Sequence, residues 1–221
     1  MGVHFKQADC IEGKRVDLRQ AELIARYKPD LIFFELPARN GKPDTVFNKF
    51  AANRKPLRDL LAIKRNLLRE ARRFPYALSD VYVWDAIQNL WEEGRNTLVF
   101  NVDRPEDVRR AYFKRHGRVS YARAKRHWWF WAYLLVRESE MARHIKQVVE
   151  LRGRRNIIAV VLLQSIHWNH VQFLMRNPSK KKIWDYYFGR FPDLTPAKLS
   201  ALLRTHEQTL FRYWQVVDAA L

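Results

Sequence analysis

Apolar positions in this chain fall into runs and stripes that alternate. Ile157 to Leu163 is an unbroken apolar run of seven residues, rich in β-branched types, with Arg154 and Arg155 before it and Gln164 and Ser165 after it. A continuous run of that length predicts a strand buried on both faces, as in a parallel sheet. Leu31 to Phe34 and Asn96 to Val102 predict two further strands, and the short apolar stretch around His4 stands where another would end. Between them the period changes to that of helices. Asp17 to Tyr27 places Leu18, Ala21, Ile24 and Ala25 on one face and stops at Pro29. Arg54 to Arg73 carries a stripe of Leu57, Leu60, Leu61, Leu67 and Leu68. Ser79 to Glu93 follows, with Ser79 as N-cap and Gly94 in the C′ position.

Arg118 to Leu151 predicts one long helix or two abutting ones, closed by Gly153. After the Ile157–Leu163 strand come helical segments over 169–175, 180–189, 196–204 and 207–220. Alternation of this kind implies an α/β fold with a small, mostly parallel central sheet heavily covered by helices. The expectation is a single domain over 1–221, with a helical C-terminal part from about 178.

Composition adds a folded core and a large positive charge. The chain is 48% hydrophobic and 14% aromatic, with a net charge of +18. The charge allows two readings, a solvated basic surface or a polyanionic partner such as nucleic acid. One cysteine, Cys10, excludes an intrachain disulfide and a cysteine-based zinc site; it is read as an inert thiol. Met1 to Asp9 lacks the apolar core of a secretory signal. Trp128 to Val136, the most hydrophobic stretch, is far short of the roughly 20 residues of a membrane span. A soluble, cytoplasmic protein without a membrane segment is expected.

The candidate chemistry lies after the strands. His4, Glu35, Asp103 and His167 each follow a strand-like run, and parallel strands would gather all four at one sheet edge, where ligand sites form in α/β folds. Two imidazoles and a carboxylate suit a divalent transition metal with one position left to water. General acid–base work by His and Glu without a metal is the alternative. His170 falls one helical turn after His167 and is read as a helix-surface residue; His127 and His144 are read as surface or packing residues. Residues 109–126 are dense in Lys and Arg with Tyr and Phe interleaved, a composition suited to single-stranded nucleic acid. Lys180 to Lys182 is read as a solvated run.

Taken in order, Gly2-Val3-His4, PDLIFFELP with Glu35, LVFNVDRPEDVRRAYF, RESEMARHIKQVVE and IIAVVLLQSIHW resemble the TraB/TIKI superfamily over roughly residues 1 to 175. That group includes the pheromone-shutdown proteins and the TIKI metalloproteases, with erythromycin esterase-like and ChaN-like proteins as relatives. The resemblance implies a metal-dependent hydrolase, with peptidases among the possibilities, acting on a peptide or small-molecule substrate. It implies His4, Glu35 and His167 as metal ligands, and catalytic or substrate-orienting roles for Glu35, Asp103, Arg104 and Arg137. One departure is Ser165, which stands where the family's second motif begins with Gly. The competing expectation is a non-enzymatic basic protein that binds nucleic acid or an acidic protein partner.

Overall fold

The computed structural model describes residues 18–37, 44–46, 55–72, 77–103, 112, 115–117, 119–153 and 156–220. They form an α/β fold in which helices cover a small, mostly parallel sheet. The expectations for His4, Cys10 and Arg104 lie outside the described residues.

Two compact units are present. The first contains the described residues up to Glu35, those from Asp44 to Asn101 and those from Leu151 to Ser165. The second contains Leu36–Pro37, Val102–Glu150 and the chain from Ile166 on.

In the first unit, α1 (Arg19–Tyr27) ends at Lys28, whose left-handed backbone (φ 43°) returns its N–H to the Ile24 carbonyl. Pro29 follows and β1 (Leu31–Pro37) begins. The sheet order is β2 (Asp44–Val46), β3 (Leu98–Asp103), β1, β4 (Ala159–Leu162). β1 pairs parallel with β4, Leu31 opposite Ala159 and Phe34 opposite Leu162, whereas β2 runs antiparallel to β3.

That order corrects one expectation. Among the described strands the longest apolar run forms the sheet edge, and all four β4 residues are only half-buried. The central strand is β1, with Leu31, Ile32 and Phe33 wholly buried. An apolar run reports burial by whatever covers it, and an edge strand has a neighbour on one side only.

Asp30 fastens the start of the sheet. Its carboxylate accepts from the Ile158 N–H at 3.0 Å, its own N–H donates to the Ile158 carbonyl, and its carbonyl accepts from the Leu98 N–H. Beside it, Thr97, 2% exposed, donates from Oγ1 to the Pro29 carbonyl at 2.7 Å and accepts the Trp91 indole N–H at its own carbonyl.

α3 (Ala77–Glu92) packs against both α1 and α2 (Lys55–Ala71). It starts before Ser79, so Ser79 lies within the helix rather than capping it. Gly94 closes it at φ 77°, as expected of a C′ glycine. The core joins Ile24, Ile32, Phe34, Val83, Trp84, Ile87 and Leu60, and Phe34 stacks on Trp84 at 5.1 Å. On α2 the core face is Leu60, Ile63 and Leu67, while Leu61 and Leu68 are exposed. One residue around a helix turns a side chain by about 100°, so a leucine pair splits between core and solvent.

In the second unit, a single turn, α4 (Tyr121–Ala124), leads into α5 (Trp128–Arg152), which ends at Gly153 with φ 58°. Phe130 to Glu138 are buried without a break, so this helix is enclosed on all sides at its N-terminal half. Then come α6 (Ser165–Met175), α7 (Lys180–Phe188), α8 (Pro196–His206) and α9 (Gln208–Ala220). Thr195 caps α8 by accepting from the Lys198 N–H, with Pro196 in the first turn. Lys180 to Lys182 are exposed. No helix of the described residues is long and apolar enough to cross a membrane.

Candidate functional site

The second unit holds a buried polar network built on two adjacent residues of α5. Arg137 and Glu138 are 8% and 0% exposed. Charges this far from water persist only when paired and hydrogen-bonded. Arg137 forks onto Asp103, the last residue of β3. Its Nε lies 2.9 and 3.0 Å from the two carboxylate oxygens and its Nη2 lies 2.6 Å from Oδ2. Asp103 is itself 2% exposed. Such a bidentate fork is the strong form of a charge-assisted pair.

The remaining Arg137 nitrogen, Nη1, lies 2.8 Å from His167 Nε2. A guanidinium can only donate, so His167 accepts at Nε2 and carries its proton on Nδ1. That Nδ1 lies 2.9 Å from Glu138 Oε1. The other Glu138 oxygen, Oε2, accepts from His170 Nδ1 at 2.8 Å and from the Tyr187 hydroxyl at 2.6 Å. Three donors therefore converge on one fully buried carboxylate. Tyr187 is wholly buried. Burial first, and the Glu138 charge second, push its hydroxyl well above the usual tyrosine value of 10.0, which keeps it a donor.

The two histidines share Glu138 but differ at the far side of the ring. His167 has both nitrogens committed. His170, 9% exposed, has only Nδ1 in a hydrogen bond among the described residues. Its side chain keeps 11% of its surface exposed, and Nε2 has no hydrogen bond among the described residues. The ring is fixed by neighbours: Trp131 lies parallel to it at 6.0 Å, and Tyr186 and Tyr187 present edges at 5.4 and 5.5 Å. An imidazole held through Nδ1 by a buried carboxylate, with Nε2 open, is the arrangement of a general base.

Of the expected site residues, Asp103, Arg137 and His167 come together in this network. Arg137 takes the role of balancing an acidic group. His167 sits in the first turn of α6 and not in a loop beyond β4, because the helix starts at Ser165. Glu35 belongs to the first unit, where its carboxylate accepts from the Gln164 N–H at 2.7 Å and ties down the loop after β4. His170 is no surface residue. His144 is fully buried, with Nδ1 donating to the Val102 carbonyl at 2.8 Å and Nε2 accepting from Arg143 at 3.0 Å.

Glu138 and Tyr187 were not singled out by sequence reasoning. The one-turn spacing of His167 and His170 is the signal that could have found their shared partner, although it was read as placing His170 on the helix surface. Nothing comparable marks Tyr187, which meets Glu138 from 49 residues away.

Elsewhere in this unit the described cations of the 109–126 segment are turned outward: Arg123, Lys125 and Arg126 are exposed. His116 bonds Glu207 at 2.6 Å and stacks on Trp129, which also stacks on His127.

A divalent metal at His167 does not fit these residues as they stand. A metal needs a ring lone pair, and Arg137, a permanent cation, occupies the only one His167 offers. No protein-family model matches the chain, and neither a curated protein nor a solved structure matches it. The resemblance to the TraB/TIKI superfamily therefore rests on the quoted motifs alone.

Proposed function

We propose that the chain is a hydrolase in which His170, oriented by Glu138, activates water without a metal. The observation that carries this reading is the asymmetry of the two imidazoles on one carboxylate: His167 is tied at both nitrogens, and His170 is tied at one. The sequence resemblance supplies the reaction class, hydrolysis of an ester or amide.

The steps balance within the residues described. His170 Nε2 takes a proton from water as the water oxygen bonds to the substrate carbonyl carbon. The Glu138 carboxylate stabilises the imidazolium that forms. The bond to the leaving group then breaks, and the imidazolium returns the proton to that group. Arg137 and Asp103 hold His167, and His167 with Tyr187 holds the Glu138 carboxylate in position.

The test is hydrolysis of p-nitrophenyl acetate and alanine p-nitroanilide by wild type, His170→Asn and chelator-treated wild type. General-base loss should cut kcat by on the order of 10²–10⁴-fold in the variant. Chelation should leave wild-type activity unchanged. Full activity in His170→Asn, loss on chelation, or no turnover of either substrate by wild type would count against the reading.

A further inference from the structure

Around Trp131 and Tyr186, two rings in contact with His170, stand charged and phenolic side chains that the hydrolytic step does not use. Arg190, the second residue after α7, lays its guanidinium over the Trp131 ring, 3.6 Å from the centroid. Trp131 is the ring that lies parallel to His170. Arg190 is exposed and has no carboxylate partner among the described residues. Lys125 lies over the Tyr121 ring at 5.9 Å, is also exposed, and has no such partner either. Tyr121 meets Phe130 edge-on at 5.6 Å, and Phe130 meets Trp131 at 5.8 Å, so these rings form one continuous chain of contacts.

Tyr186 completes the border. It is 37% exposed, presents its edge to His170, and stacks on Phe173 at 4.4 Å. Burial and the Glu138 charge raise its hydroxyl above the usual value, while Arg190 opposes that rise. Arg190 and Glu138 therefore both act on the hydroxyl of Tyr186, a ring in contact with His170. A guanidinium held flat on an indole keeps its N–H edge for a ligand and loses little freedom when it binds one.

We infer that the substrate carries an anionic group, a carboxylate or a phosphate monoester, which Arg190 binds while His170 acts on a neighbouring carbonyl. This rests on the hydrolase reading for the reaction, but the anion site itself does not need it. The arginine supplies a planar fork suited to either oxyanion. Tyr186, more than a third exposed, supplies apolar area for the carbon skeleton between the anion and the reacting bond.

The test pairs binding with turnover. Binding of phenyl phosphate and of phenylacetate is measured by calorimetry on wild type, Arg190→Gln, His170→Asn and, as an exposed control, Arg176→Gln. Arg190→Gln should weaken binding at least about tenfold, the scale of one lost charge-assisted pair. His170→Asn and Arg176→Gln should bind as wild type does. Turnover is compared for mono-p-nitrophenyl succinate and p-nitrophenyl acetate. The anionic ester should have the lower KM, and Arg190→Gln should raise that KM towards the neutral ester's.

Equal binding by wild type and Arg190→Gln, or equal losses in Arg176→Gln, would overturn the anion site. Anion binding that depends on Arg190 with no hydrolysis of either ester would leave the anion site standing and defeat the hydrolase reading. Hydrolysis of both esters with the same KM would do the reverse.

Discussion

At Glu138 a single carboxylate with no exposed surface accepts from His167, His170 and Tyr187. Removing a donor from a buried charge costs more than removing one from a neutral pair, about 1.5–3 kcal/mol. Tyr187→Phe should therefore lower the free energy of unfolding by that amount at neutral pH, read from urea denaturation. The same residue sets an alkaline limit. Its hydroxyl is raised in the folded state above the ordinary 10.0, so its contribution is fully present below pH 10.0 and is lost as pH rises beyond it toward the folded value. Wild type should lose stability above that pH and Tyr187→Phe should lose less. Parallel alkaline profiles in the two proteins would remove Tyr187 from this role. Asp103, Arg137 and His167 were legible because each borders a strand-like run or opens a distinct helix motif. Glu138 and Tyr187 were not, because a carboxylate and a phenol inside helices give no local sign of a partner many turns away.

At the scale of elements, the described helices and three of the strands stand near where the apolar pattern places them, and α4 with α5 are the two abutting helices expected from Arg118 onward. What the pattern did not contain was order within the sheet. Both β1 and β4 are apolar runs, and only pairing makes β1 central and β4 an edge among the described strands. Helix phase was blurred in the same way: on α2 each adjacent leucine pair has one member facing the core and one facing solvent. The joint between α3, β1 and β3 turns on Thr97, which supplies the Pro29 carbonyl with its donor. Thr97→Val keeps the shape and removes that donor, leaving a buried acceptor unpaired. The expected cost is about 1–3 kcal/mol, read as a shift in the denaturation midpoint with an unchanged slope. A change below about 0.5 kcal/mol, the range of an ordinary surface substitution, would show that this bond does not fasten the strands.

For the whole molecule, the net charge of +18 and seven histidines frame the central claim. Charge of that size favours anionic ligands in general, but only Arg190 among the described cations combines exposure with a seat on Trp131, the ring parallel to His170. The histidines differ by what their ring nitrogens already hold. His144 and His167 are committed at both, and His170 keeps Nε2 open. Carbethoxylation by diethyl pyrocarbonate reads that difference directly, because the reagent needs an accessible ring lone pair. With the native protein at neutral pH and peptide mapping across all the histidines, His170 should react while His167 and His144 stay unmodified. Hydrolytic activity should fall in step with His170 modification. Modification of His167 as fast as His170, or an inert His170, would contradict the account.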